Sequence, residues 1–366
     1  DIDLGTASLK YKSFFAGLTD SENFKINGGQ GDDGQVLTST GSGVAWEDAS
    51  GGATDINGLS DAKTFGTSSI MLGDATTGTI DAANYNVGLG IDVFAALTSG
   101  DNNTAVGFAA GDANTTGSNN TFMGTNAGGA NIAQQWNVAV GTSALAAEAT
   151  SGSNTAVGGL ALATSNGGSN NTAIGKQALT SLTTADHNTA VGSNALFNIT
   201  TGYGNVAVGY LAAYSLEGGS GDGKNNVAIG REALEGQVTQ EDNIAIGYLA
   251  LHVGNSTSNS QNTVVGSQAG TAAHAGYGNC YFGYAAGAAN TSGIHNCNYG
   301  RAAGSVITSG GNNICIGYGA GTSTSPSTIT TGGNAIVLGN NSTATAHIKV
   351  DWTVTSDSRD KTDVAD

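Results

Sequence analysis

The chain has 366 residues, enough for two average globular domains, but 59 are glycine, one is proline (Pro326) and only 11% are charged. Glycine without proline points to tight turns rather than disorder. The formal net charge is −17 and no Lys or Arg stands between Lys63 and Lys176, so a phosphate backbone would be repelled along much of the chain and nucleic acid is excluded as a partner; with no apolar run near the roughly 20 residues that span a bilayer, no membrane insertion is expected.

Residues 1–65 come first and are read as a small β-rich cap or connector. They contain "DLGTASLKYKSFFAG" (3–17), "GDDGQVLTSTGSGVAWEDAS" (31–50) and "TDINGLSDAKT" (54–64). The start at Asp1, without Met or a signal-like segment, reads as a processed or trimmed piece.

A repeat follows. Glycines at 90, 107, 124, 141, 158, 175, 192, 209, 230, 247, 266, 283, 300 and 317 each close an N-x-x-x-G, and eleven of the thirteen steps between them are 17 residues. The exceptions are 21 residues at Gly209→Gly230 and 19 at Gly247→Gly266, the longer containing "EGGSGDGKN", a loop insertion. Asn103 with Gly107, Asn154 with Gly158, Asn188 with Gly192 and Asn243 with Gly247 represent the pattern. From Gly107 onward, Ala stands three residues after every one of these glycines. The residues three and one before the Gly are mostly β-branched, and the residue between them is mostly Ala. That period of two makes the core of each unit a short strand with β-branched residues on one face and Asn, Ala and Gly on the other. After the Gly comes x-x-Ala-Leu or x-x-Ala-Gly, then a polar turn such as "TTGSNN".

A unit of 17 residues cannot offset its own backbone entropy, so the units must stack into a solenoid. Fifteen steps from Gly73 to Gly339 at about 4.8 Å each give a rod of about 70 Å. Helical repeats are longer and carry helix formers throughout, and a hexapeptide β-helix would need three apolar-Gly hexads per coil where this unit has one. The expectation is an all-β, homotrimeric parallel β-roll or β-helix solenoid over residues 66–345. The homotrimer rests on the small Asn-Ala-Gly face, read as a surface that two identical neighbours approach closely.

The repeats resemble the heads of trimeric autotransporter adhesins, left-handed parallel β-rolls with "NSVAIG"-like coils shorter than 17 residues. They are similar also to the "NTAVG…AL" arrays of phage and prophage tail fibres. Residues 346–366 close the chain with a strand, "HIKVDWTV", and a charged segment. Here Ser356, Asp357, Arg359 and Lys361 match the Ser-Asp-x-Arg-x-Lys that opens the C-terminal intramolecular chaperone of phage tailspikes. The resemblance implies a trimerising chaperone that cuts itself off before Ser356, with Ser356 as nucleophile and Lys361 as its base; only 11 residues of that domain are present. The N-terminal stretches resemble recurrent elements of phage fibres. Together these imply a virion tail-fibre shaft that contacts other tail proteins and a host glycan or protein receptor. The rivals are a bacterial cell-surface trimeric adhesin and, in another class, a self-processing or glycan-depolymerising tailspike.

Candidate sites within the repeat are few. The residue after each Gly varies and is expected to point outward; in the second half it reads Tyr210, Arg231, Tyr248, Ser267, Tyr284, Arg301, Tyr318, either a structural ladder of rings and guanidinium planes or a receptor platform. Cys280 and Cys297 share one position and are read, with Cys315, as buried small hydrophobes. The five histidines form no His-x-His pair and no metal site is expected. Asp101, Asp112 and Asp222 are read as solvated loop acids rather than Ca²⁺ ligands. The Asn column is read as structural, bonding rung to rung and satisfying turn backbone. No carboxylate pair is placed for glycan hydrolysis, "GLG" (88–90) and "GYGAG" (317–321) lack a nucleotide-loop context, and neither enzyme activity nor a cofactor is expected.

Overall fold

The computed structural model describes residues 35–39, 44–48, 62–65, 68–73, 82–216, 223–236, 241–252, 260–272 and 276–345. The chain divides into two units, Asp1–Ser60 and Asp61–Asp366. In the first, β1 (Gln35–Ser39) and β2 (Val44–Asp48) pair as an antiparallel hairpin, with Leu37 opposite Trp46.

The second unit is a β-solenoid. β3 (Ala62–Phe65) pairs antiparallel with β4 (Ser69–Leu72), and from β4 a single parallel sheet of 16 strands runs to β19 (Ile336–Leu338), one strand per coil. Equivalent residues stack in register, Thr155 on Thr172 on Thr189 and Ala156 on Ala173 on Ala190. The longer coils keep that register: Val206 pairs with Val227 and Ile244 with Thr263.

From Val87–Leu89 onward each strand is three residues long because of what bounds it. The closing glycine leaves strand geometry, with φ of +134° at Gly107, +133° at Gly158, +136° at Gly192 and +133° at Gly247. It also lies against its successor's backbone: a Cβ at Gly158 would stand 2.5 Å from the Gly175 carbonyl oxygen. Only glycine combines that dihedral with that approach.

The strand's two faces divide as the alternation predicts, but the small face is the inside of the coil. Asn103, Ala105, Asn154, Ala156, Asn188 and Ala190 are fully buried within the single chain. They pack with the Ala and Leu that follow each glycine, such as Ala161 and Leu162 or Ala195 and Leu196, in one continuous core. The Asn-Ala-Gly face is therefore approached closely by the same chain's return segment, which corrects its reading as a surface for neighbouring chains. The inward strand position takes Ala in most coils and, from Phe122 to Cys315, a larger side chain only where the return segment gives way to Gly, so the volume shared across the coil limits what that face can carry.

The return segment has its own rule. Its second and fourth residues after the glycine take left-handed backbone, as at Ser143 and Leu145, Leu160 and Leu162, and Gln177 and Leu179, and so does the residue before each column Asn, as at Asn102, Asn119 and Asn170. Among the described non-glycine residues with positive φ, none is Val, Ile or Thr, the side chains that tolerate it least. The segment is still bonded to both neighbours: Leu162 N–H donates to Ala178 O at 3.0 Å above and Leu160 N–H to Thr142 O at 3.0 Å below.

Core volume is balanced within each coil. Where the middle strand residue is Ala, the fourth residue after the glycine is usually Leu, as in Ala139/Leu145 and Ala173/Leu179. Where it is larger, from Phe122 to Cys315, that residue is Gly. A Cβ on Gly128 would stand 2.3 Å from the Phe122 ring, and one on Gly287 would stand 2.6 Å from the Tyr281 ring. Gly304 and Gly321 make the same room for Asn298 and Cys315. Asn298 is the poor fit, since its buried side-chain amide nitrogen and oxygen have no hydrogen-bond partner among the protein atoms. The Val264/Gly270 coil shows that Val fits such a place. Asn298→Val is accordingly expected to stabilise the chain by about 1–2 kcal/mol by removing an unsatisfied amide, read as a rise in the denaturation midpoint.

Between the last two strands, residues 321–330 form a longer return segment whose ends are joined by Ile329 N–H to Gly321 O at 3.0 Å. Ile329 joins Ile307, Cys315, Ala320 and Val337 in a small core of their own.

Candidate functional site

The Asn column is the coil's internal fastening. Each Asn Oδ1 accepts the backbone N–H of the next Asn, at 3.0 Å for Asn120 N to Asn103, 2.9 Å for Asn171 N to Asn154, 3.0 Å for Asn205 N to Asn188 and 3.0 Å for Asn262 N to Asn243. The chain of bonds is unbroken from Ser69 Oγ, which accepts Asn86 N–H, to Asn313 Oδ1, which accepts Ala335 N–H. The same amides donate sideways to loop carbonyls, Asn103 Nδ2 to Gly117 O at 2.8 Å and Asn188 Nδ2 to Gly202 O at 2.9 Å. These residues are buried, so they fasten the coils and are closed to ligands.

A second inner column went unseen in the sequence because its chemistry changes along the stack. Seven residues after the glycine stand Asn114, Asn131, Glu148 and Ser165, then Leu182, Ile199 and Leu216, all buried. Glu148 is fully buried, and its carboxylate accepts Ser151 N–H at 2.8 Å and the hydroxyls of Ser151 and Ser165 at 2.9 Å each. It therefore fastens a turn.

The surface chemistry lies on the outward strand face and beside it. Tyr210, Arg231, Tyr248, Tyr284, Arg301 and Tyr318 are all exposed, because the turn at each glycine sends the next side chain out of the coil. The Arg301 guanidinium lies between two rings, 5.7 Å from the Tyr284 centroid and 5.3 Å from that of Tyr318, and Arg231 lies 5.5 Å from that of Tyr248. Next to this ladder, Phe282 and Tyr299 stack at 4.9 Å with planes 5° apart. Phe282, Tyr284, Tyr299, Arg301 and Tyr318 thus make one aromatic and cationic patch over successive coils. The two strand aromatics belong to it because they stand two residues before the ladder positions, a relation visible only by stacking the sequence at its period.

The outward face elsewhere is apolar: Val87 is 45% exposed, Leu89 50%, Ile174 41% and Ile316 46%. Cys280 and Cys297 lie on this face, partly exposed in adjacent coils, which corrects their reading as buried residues. Each stands where Thr or Val stands in other coils, a position that points outward. Cys315, one place later in the alternation, is buried, and burial pushes its thiol up to about 11. Asp101 is a turn fastener as well as an acid, its Oδ1 accepting Asn84 N–H at 2.7 Å. At Asp112, where Oδ1 accepts Ala113 N–H at 3.0 Å, burial raises the carboxyl above its ordinary value. Ser356, Lys361, Asp222 and His347 lie outside the described residues.

The chain is thus a β-solenoid repeat protein. No protein-family model, curated protein or solved structure matches it.

Proposed function

We propose that the chain is the structural and adhesive shaft of a trimeric phage tail fibre or spike that mediates host attachment. The observation that carries this reading is the outward strand face, an apolar strip that recurs coil after coil from Val87 and Leu89 to Ile336 and Leu338. An exposed apolar strip of that extent calls for a partner surface, and a parallel homotrimer covers it with two copies of itself. The strip replaces the Asn-Ala-Gly face as the contact between chains. The Tyr/Arg ladder, one residue past each glycine and beside that strip, then forms the patch through which the shaft touches a host glycan, ring face on ring face with arginine alongside. The fibre-like N-terminal stretches and the chaperone-like Ser356 to Lys361 favour a virion over a bacterial cell surface.

Light scattering of the purified chain tests the assembly: the expected mass is three times 36.0 kDa. Replacing Ile174, Val208 and Ile229 together by Lys should give a folded monomer, because nine ammonium groups would meet at the centre. A wild-type chain that is folded and monomeric overturns the reading. So does a trimer that survives all three substitutions.

A further inference from the structure

We infer that Glu232, Glu235 and His252 form a divalent transition-metal site, with zinc the best-matched ion. Glu232 and Glu235 stand two and five residues after Gly230, and His252 stands five after Gly247, so it stacks directly over Glu235 in the next coil. One ligand atom from each residue lies within 4.8 Å of the other two. Among the described residues this is the one place where three such donors converge. The neighbouring coils carry no donor set there, with Tyr214 and Thr271 in the Glu235 column and Leu211 and Leu249 in the Glu232 column.

The backbone on both sides is already fixed by the coil ladder. Glu232 N–H donates to Tyr210 O at 2.9 Å, Ser215 N–H to Glu235 O at 2.9 Å, and Leu234 N–H to Ala250 O at 3.0 Å. The side chains are partly sheltered, 15% exposed at Glu232, 24% at Glu235 and 37% at His252. His252 Nε2 stands 2.8 Å from Glu235 Oε2, whereas Arg231 meets Glu232 Oε1 at 2.7 Å. Glu232 is already paired with Arg231 through Oε1 and Glu235 with His252, so what marks this place is that both carboxylates and the imidazole converge on one point. A divalent cation at that point would attract both carboxylates at once.

Two carboxylate oxygens and an imidazole nitrogen form a donor set that suits zinc, whereas calcium and magnesium prefer oxygen throughout. With metal–ligand bonds of about 2.0–2.2 Å, the ligand atoms need to draw in by roughly 1 Å, and the remaining position stays open to water or an outside ligand. The histidine rule applied to the sequence looked for a second histidine; the coil period instead sets a histidine over a glutamate.

The test is calorimetric titration of the tag-free, chelator-stripped full chain with zinc chloride at neutral pH. One ion per chain is expected, with binding weakened at least tenfold in Glu235→Gln and in His252→Gln and unchanged in a Cys280→Ser, Cys297→Ser double variant. Zinc should raise the melting temperature of the wild type but not of Glu235→Gln, and far-ultraviolet circular dichroism should show both variants folded. No zinc uptake by the wild type overturns the site, as does uptake that persists in both variants or is lost only in the cysteine variant. The outcome does not depend on the trimer or on the shaft reading.

Discussion

Gly192→Ala should destabilise the solenoid by about 3–5 kcal/mol, the sum of a dihedral closed to L side chains and a backbone collision, each costing about 1–3 kcal/mol. The residue sits at φ +136°, and its new Cβ would stand 2.4 Å from the Gly209 carbonyl oxygen and 2.7 Å from the carbonyl carbon. Neither atom is the end of a flexible side chain, so both coils have to move. The control is the adjacent class of glycine: a Cβ on Gly159 meets nothing nearer than the Thr142 oxygen at 3.9 Å, and Gly159→Ala should change stability by less than about 0.5 kcal/mol. Because a stacked repeat can open in part, denaturant midpoints are best joined with hydrogen exchange. Lost protection should centre on residues 189–191 and 206–208. Equal effects of the two alanines would show that the close glycine column is not what sets the spacing of the coils.

Asn188→Ala should cost about 2–4 kcal/mol. Asn188 Oδ1 accepts Asn205 N–H at 3.0 Å and its Nδ2 donates to Gly202 O at 2.9 Å, both buried. Removing the amide orphans a donor in one coil and an acceptor in the turn, at about 1–3 kcal/mol each. Asn188→Asp separates the two halves of that role, because a carboxylate keeps the acceptor but loses the donor and carries charge into a dry core. Burial would hold the new carboxyl above the ordinary value of about 3.9, so the penalty is greatest at neutral pH and falls as the pH drops through the raised value. Denaturation of the Asp variant at pH 7 and pH 4 checks the sign. A variant equally stable at both would mean that the site admits water.

Much of this architecture is legible in the sequence because a solenoid writes each structural constraint once per coil. The 17-residue spacing, the Asn and Gly positions and the β-branched strand residues locate every rung, and the register survives the two longer steps. The alternation also separates the faces, but the small Asn-Ala-Gly face, read as a contact between chains, is the inside of the coil, where Ala105 and Ala156 make room for the Leu or Gly of the return segment. The pairing of Phe122 with Gly128 and of Tyr281 with Gly287 was in plain view as x-x-Ala-Leu against x-x-Ala-Gly. Its meaning depends on contact across the coil, which linear order hides. The Glu235–His252 contact was hidden for the same reason, since 17 residues in sequence is one step in space. Phe282 and Tyr299 required the same translation from position along the chain to position in the stack.

The longer coils have a consequence for how such a protein can change. Asn226 N–H reaches Asn205 Oδ1 at 2.9 Å across 21 residues, and Asn262 N–H reaches Asn243 Oδ1 at 3.0 Å across 19. Those distances match the ones found across 17. Extra sequence placed between the return segment and the next Asn is therefore invisible to the fastening on either side. A lineage can lengthen or shorten the sequence at these points one at a time while the fastened frame keeps its dimensions, so novelty there carries no obligation to redesign what supports it.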